Sequence, residues 1–316
     1  MYRIGVDLGG TNIVAGVVDE NYKIVGRASR KTDAPRPAEE IFDDIAAVIA
    51  EAMEKAGVTK EEIASVGVGT PGSVNKEDEL IEFANNLAFD NVPAYRLLRE
   101  RTGFQTVYFD NDANCAALGE AVAGCGKGVK SLVMITLGTG VGSGIIANGK
   151  LITGLNYAAG EMGHTVIKYN GLQCNCGRRG CWEKYSSATA LIQQTIDAMR
   201  ENTDSLMWDL VDNDVSRVSG RTAFEAARRG DVPARAVVNQ YIAYLGCGIS
   251  NVVNIFQPDM VCVGGGIGNE KENLLAPTRK VLASERYSIH AKKQTKLVAA
   301  ELGNDAGVIG AALLDE

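Results

Sequence analysis

Residues 129–146, VKSLVMITLGTGVGSGII, read as a strand over Val129–Thr136, a glycine- and threonine-rich turn over Leu137–Gly144, and a second strand beginning at Ile145-Ile146. The same order stands earlier in the chain. In RIGVDLGGTNIVAGVV, residues 3–18, an apolar strand Arg3–Val6 runs into Asp7-Leu8-Gly9-Gly10-Thr11-Asn12, and Ile13–Val18 returns as the second arm of a hairpin. A dinucleotide-binding G-x-G-x-x-G would open a helix. Strands follow both turns here, so that reading is rejected. Two such strand–turn–strand units, more than a hundred residues apart, predict a duplicated α/β architecture with one phosphate loop from each half.

The turns carry the chemistry of anion binding. Paired glycines let backbone come close to a ligand, and successive N–H groups beside a threonine hydroxyl make a nest for phosphate. A Gly-Gly turn alone is often a plain hairpin. The aspartate before it and the threonine after it favour phosphate, with Asp7 placed to hold Mg²⁺ directly or through water.

Between the repeats, Pro37–Ala56 has one apolar stripe (Ile41, Ile45, Val48, Ile49, Ala52, Met53) and a terminating Gly57, so a helix is expected. Thr59 and Glu62 form a small capping box. Ser65–Gly69 is a strand feeding the turn Thr70-Pro71-Gly72, which offers backbone groups to a ligand. In Phe83-Ala84-Asn85-Asn86-Leu87 either asparagine could cap a turn. Strand Thr106–Phe109 ends on Asp110-Asn111-Asp112, and a helical pattern follows from Ala113. Asp112 therefore sits at or near an N-cap, a sufficient structural reason for an aspartate. It also stands at the carboxyl end of a strand, where open α/β sheets bind ligands, and the helix N-terminus is expected to keep it ionised.

The densest constellation lies in GEMGHTVIKYNGLQCNCGRRGCWE, residues 160–183. It holds one of two histidines and three of seven cysteines. His164, Cys174, Cys176 and Cys181 supply the Cys₃His set that fills a Zn²⁺ tetrahedron with no open position, a structural site. The rivals are a chance glycine-rich loop and a disulfide. An odd cysteine count and the lack of a secretory pattern argue against the disulfide. Glu161 and Glu183 bracket the loop. Further on, helices are expected over Ser187–Arg200 and Pro233–Ile255, with a solvated acidic excursion at Glu201–Asn213 between them. Strand Met260–Val263 runs into Gly264-Gly265-Gly266, three glycines suited to a flat base and ribose lying on backbone. Strand Lys296–Ala300 and helix Ala306–Leu314 follow.

Composition sets the remaining bounds. The 316 residues, 46% hydrophobic and 22% charged, suit a soluble chain of two domains. A formal charge of −7 argues against nucleic-acid binding. No apolar run is long enough for a membrane, and MYRIGVDLGG lacks the regions of a signal peptide. A cytoplasmic protein is expected.

Asp7-Leu8-Gly9-Gly10-Thr11, Leu137-Gly138-Thr139-Gly140-Val141-Gly142, Gly160-Glu161-Met162-Gly163-His164, Cys174-x-Cys176-Gly-x-x-Gly-Cys181-x-Glu183 and Gly264-Gly265-Gly266 together resemble the ROK family of sugar kinases. The nearest branch is its bacterial ATP-dependent glucokinases, and the likeness runs nearly the whole chain. It implies the two-domain actin/hexokinase-like (ribonuclease H-like) fold with an interdomain cleft and a zinc-binding loop. The expected division is a smaller N-terminal domain, 1–111, joined by a C-terminal helix at about 302–316, and a larger domain, 112–301, carrying the zinc loop 164–181.

The resemblance further implies ATP- and Mg²⁺-dependent phosphorylation of glucose at its 6-hydroxyl, with Asp112 as general base. Gly72, Asn86, Asn111, Glu161, His164 and Glu183 join Asp112 around the sugar, His164 serving Zn²⁺ as well. The nucleotide falls to Asp7, Gly9, Gly10, Thr11, Asn12, Gly138, Thr139, Gly140, Gly264, Gly265 and Gly266. Kinases of N-acetylmannosamine, fructose or allose and polyphosphate-using glucokinases share the pattern. Regulatory members carry a helix-turn-helix, for which no room is expected ahead of Asp7. A homodimer or tetramer is implied.

Overall fold

The computed structural model describes residues 1–315. Two five-stranded sheets organise it. In the first, β1 (Tyr2–Leu8), β2 (Asn12–Val18), β3 (Ile24–Lys31), β4 (Ile63–Thr70) and β8 (Val107–Asn111) lie in the order β3-β2-β1-β4-β8. β1 and β2 pair antiparallel with Ile4 opposite Val17 and Leu8 opposite Ile13, while β1–β4 and β4–β8 are parallel. The second sheet contains β9 (Leu132–Leu137), β10 (Val141–Ala147), β11 (Lys150–Leu151), β12 (Met260–Gly264) and β13 (Lys296–Ala299), in the order β11-β10-β9-β12-β13. The order of the first sheet is thus repeated, strand for strand. A smaller antiparallel sheet, β5 (Ser73–Asn75), β6 (Leu80–Ala84) and β7 (Phe89–Val92), has no counterpart in the sequence reading.

Helix α1 (Ala38–Ala56) buries Ile41, Phe42, Ile45, Val48, Ile49 and Ala52, and Gly57 caps it in the left-handed region (φ +67°). The Thr59–Glu62 box forms as read, with the Thr59 N–H donating to Glu62 Oε2 at 2.8 Å. Helices α2 (Ala94–Thr102) and α3 (Asp112–Val122) follow, then α4 (Glu183–Ser186), α5 (Ala188–Glu201), α6 (Leu206–Asp209), α7 (Thr222–Arg228), α8 (Val232–Phe256), α9 (Gly265–Gly268), α10 (Glu272–Glu285) and α11 (Ala306–Ala312). The stretch 201–213 is not the solvated excursion expected. Met207 and Val211 are buried, and the Asp231 carboxylate accepts from Ser205 Oγ (3.0 Å) and Leu206 N (2.9 Å). Its acidic composition hid two apolar anchors.

The chain forms two compact units. Among the described residues, one comprises 1–134, 144–160 and 301–315, the other 135–143 and 161–300. The boundary expected at 111/112 therefore falls inside the first unit, which is the larger. The expected C-terminal helix spans Ala306–Ala312, and Glu316 lies outside the described residues.

Packing explains the shift. α3 belongs with the first sheet because α11 lies against it backbone to backbone, and a methyl group on Gly310 would stand 1.6 Å from the Cys115 carbonyl oxygen. Only glycine permits that approach. Buried Glu120 reinforces the contact, its Oε1 accepting from the N–H groups of Glu301 (2.9 Å) and Leu302 (2.7 Å). Gly310→Ala is expected to lower stability by about 3 kcal/mol or more through overpacking, read as a lower urea midpoint.

Candidate active site

In the first unit, the sequence-predicted residues gather at the ends of β1, β4 and β8. The β1–β2 turn is closed by the Gly9 N–H donating to Asn12 O at 2.9 Å. Fully buried Thr32 clamps it, its hydroxyl donating to Gly9 O (2.6 Å) and its N–H to Thr11 O (2.9 Å). No motif marks Thr32; it acts from the far end of β3. Gly10 lies against Asn86, where a methyl group would stand 3.4 Å from the Asn86 Cβ. Asn86 itself is exposed, in a short 3₁₀ turn, Asn85–Leu87.

Helix α3 begins on Asp112, and its N-cap is Asn111, one residue earlier than read. The Asn111 Oδ1 accepts from the N–H of Ala113 (2.9 Å), and its Nδ2 donates to Gly72 O (3.1 Å). Its amide thereby joins the Thr70–Gly72 turn to the helix. Asp110, also passed over, is the buried centre of a network. It accepts from Lys76 Nζ (2.5 Å), Asn114 Nδ2 (2.8 Å) and the Asn111 N–H (2.7 Å). A buried carboxylate needs such partners, and these fix the residues flanking Asp112.

Asp112 is reachable by solvent but crowded by protein. Crowding decides its acidity, because desolvation raises its carboxyl above the ordinary value despite the opposing N–H of Ala113, 2.8 Å from Oδ1. The helix N-terminus, expected to favour the ionised form, opposes this rise without offsetting it. Asp7 is pushed up to about 6, first by burial and then by the like charge of Asp112, with Arg27 opposing. The backbone of α11 adds to the crowding, for a methyl group on Gly307 would stand 3.1 Å from Asp7 Oδ2. Two carboxylates that oppose each other's ionisation suit a divalent cation, which would relieve the repulsion.

In the second unit, Gly138-Thr139-Gly140 forms the turn between β9 and β10, shorter than the eight residues read because β10 already starts at Val141. Gly265 stands over it with φ +80°, and a methyl group there would lie 2.6 Å from Leu137 backbone atoms. Part of the triple-glycine signal is thus internal packing of β12 on β9. Glu161 precedes a 3₁₀ turn, Met162–His164, whose Met162 N–H donates to Ser143 Oγ at 3.2 Å.

His164, Cys174, Cys176 and Cys181 place their ligand atoms within 4.8 Å of one another. Cys176 Sγ and Cys181 Sγ are 3.6 Å apart, as are Cys174 Sγ and His164 Nδ1. Bond lengths of about 2.3 Å for Zn–S and 2.0 Å for Zn–N give tetrahedron edges of roughly 3.5–3.8 Å, which these two separations match. Nδ1 is the ring nitrogen facing the thiols. The loop is tied to the core by fully buried Trp182, whose Nε1 donates to Tyr244 O at 3.1 Å, and by the Tyr185 hydroxyl, which accepts from the Leu172 N–H at 2.7 Å.

Residues 3–316 match the ROK family. The chain belongs to that family. It is 38% identical over 312 residues to a glucokinase of Streptomyces coelicolor, covering 98% of this chain and 96% of that protein. With a glucokinase of Thermotoga maritima the identity is 36% over 311 residues, covering 98% and 95%. Among solved structures, a ROK family glucokinase from Streptomyces griseus in complex with glucose and AMPPNP superposes with a TM-score of 0.85 at 36% identity, over 99% of each chain. The actin/hexokinase-like fold and a sugar kinase's chemistry follow from these likenesses.

An aspartate whose folded pKa exceeds its unfolded value loses its proton at a cost. For Asp7 that cost is absent below the unfolded value of 3.8, grows with pH, and is complete above about 6. Asp7→Asn is therefore expected to stabilise the ligand-free protein by about 2–3 kcal/mol at pH 7.5 and about half that at pH 5. Thermal melts of both proteins across that range check the sign.

Proposed function

We infer that this protein transfers the γ-phosphoryl group of ATP to the 6-hydroxyl of glucose, giving glucose 6-phosphate and ADP. Near full-length likeness to glucokinases of two bacterial genera carries the reading, and the aspartate that heads α3 supplies a base for it.

Phosphoryl transfer is mainly positioning and charge neutralisation. Asp112 accepts the proton as the sugar's O–H bond breaks, its oxygen bonds to the γ-phosphorus, and the bond from phosphorus to the β-phosphate oxygen breaks. A carboxyl raised by desolvation is the better base, since a base works best with a pKa nearer the working pH. The Lys76–Asp110–Asn114 network keeps its backbone in place. Asn86, Glu161, His164 and Glu183 are assigned to the other hydroxyls, as are Gly72 and Asn111, which are joined by the bond from Asn111 Nδ2 to Gly72 O. Each unmatched hydroxyl would cost about 1–3 kcal/mol, which selects the sugar. The turns Gly9–Asn12 and Gly138–Gly140, with Gly264–Gly266, are assigned to the nucleotide.

Mg²⁺ bound with the nucleotide would neutralise phosphate charge, Asp7 being its nearest candidate ligand. His164, Cys174, Cys176 and Cys181 are assigned to Zn²⁺, which would set the imidazole's tautomer and angle.

Asp112→Asn is expected to lower kcat at least a thousandfold while glucose still binds, measured by steady-state kinetics and calorimetry; near-normal turnover would refute the base. With ATP and Mg²⁺, glucose should be the best substrate in a panel with mannose, fructose, allose and N-acetylmannosamine. Metal analysis should find one zinc per chain, lost with a lowered melting temperature in Cys176→Ser.

A further inference from the structure

The Gly138–Gly140 turn is held from outside by a segment that begins at the last cysteine of the metal loop. The Val141 N–H donates to Glu183 Oε2 at 3.1 Å, and a methyl group on Gly140 would stand 2.2 Å from that oxygen. The Ala188 N–H donates to Gly138 O at 2.8 Å, and the Thr189 hydroxyl donates to Thr139 O at 2.8 Å. Inside the turn, the Gly138 N–H donates to Gly140 O at 3.1 Å. All three carbonyls of the turn are therefore taken up by protein donors.

Peptide planarity gives this a consequence. In a trans peptide the C=O and the following N–H point in opposite directions. Drawing the Gly138 carbonyl toward Ala188 turns the Thr139 N–H away from α5, and drawing the Thr139 carbonyl toward Thr189 does the same for the Gly140 N–H. The Val141 N–H is meanwhile engaged by Glu183. The Thr139 and Gly140 N–H groups are thus turned away from α5, beside Gly138, whose missing side chain faces open space with nothing within 4 Å. Successive N–H groups of a turn freed in this way can receive an anion.

We propose that Thr189 and Glu183 are positioning residues for the nucleotide, holding the Gly138–Gly140 turn in its phosphate-receiving shape before any sugar binds. The proposal rests on the assignment of that turn to the nucleotide. It gives Glu183 a task separate from any contact with sugar, through the oxygen that Val141 engages. Thr189 is exposed and lies outside every motif of the sequence.

The test is titration calorimetry of AMPPNP with Mg²⁺ in the absence of sugar. Thr189→Val and Glu183→Ala are each expected to weaken binding threefold to tenfold. Thr189→Ser and Glu183→Gln, which keep a donor and an acceptor respectively, should stay within twofold of the parent. A glutamate that served only the sugar would leave this sugar-free affinity unchanged. Parent-like binding by both Thr189→Val and Glu183→Ala overturns the proposal, and parent-like binding by one overturns that residue's part. If Glu183→Ala does not fold, Thr189→Val decides alone. Gly138→Val, at a position with room for a side chain, separates the two levels. If it too binds like the parent, the turn is not the nucleotide site and the proposal falls with that assignment; if it weakens binding while the clamp variants do not, the proposal alone falls.

Discussion

Two carboxylates that resist ionising together, Asp7 and Asp112, are the constraint from which the first unit is best understood. Protein crowding disfavours the charge on each, and the charge of Asp112 adds to the cost at Asp7. Such an arrangement persists only if the surrounding structure over-determines it. Here α11 lies against α3 through Gly310, the backbone at Gly307 presses on Asp7, and Glu120 gathers the N–H groups of Glu301 and Leu302. In the proposed reaction that crowding would serve the chemistry: a raised carboxyl at Asp112 would be the better base, and two like charges would suit a cation.

Around this pair, buried polar groups do the aligning. Asp110 satisfies its charge with Lys76 and further lone pairs with Asn114 and backbone, tying the β8–α3 junction at three points. Asn111 closes the same junction from the other side through Gly72. In the second unit, residues 164–183 bury few side chains, Cys174, Cys181 and Trp182 among them, and backbone hydrogen bonds run through the loop around the four candidate metal ligands. The consecutive run Cys181-Trp182-Glu183 then ties one ligand, one core anchor and one acidic group to a single short segment.

Much of this was legible in the residues. The four candidate metal ligands stand out by spacing alone, and the structure brings their donor atoms together. The duplicated strand order could be read from two copies of one local pattern, and the sheets repeat it. Thr32, Lys76, Asp110 and Thr189 could not be found that way. Each is an ordinary residue type whose role comes from what lies opposite it, tens of residues away along the chain. Asp112 shows the same limit in its chemistry. Its helix position favours the ionised carboxylate, and the protein packed around it raises the carboxyl nonetheless.

What the sequence determined by itself was local: strands from apolar runs, turns from glycine pairs, a helix from its stripe and cap, and a cluster of four candidate metal donors. These depend on neighbours within a few residues, so their pattern survives in one dimension. Tertiary structure alone decided that α3 belongs with the first sheet, that part of the Gly264–Gly266 signal is packing on Leu137, and that two turns are clamped by distant threonines. Those outcomes depend on distances of a few ångströms between segments far apart in the chain, and only the folded backbone sets such distances.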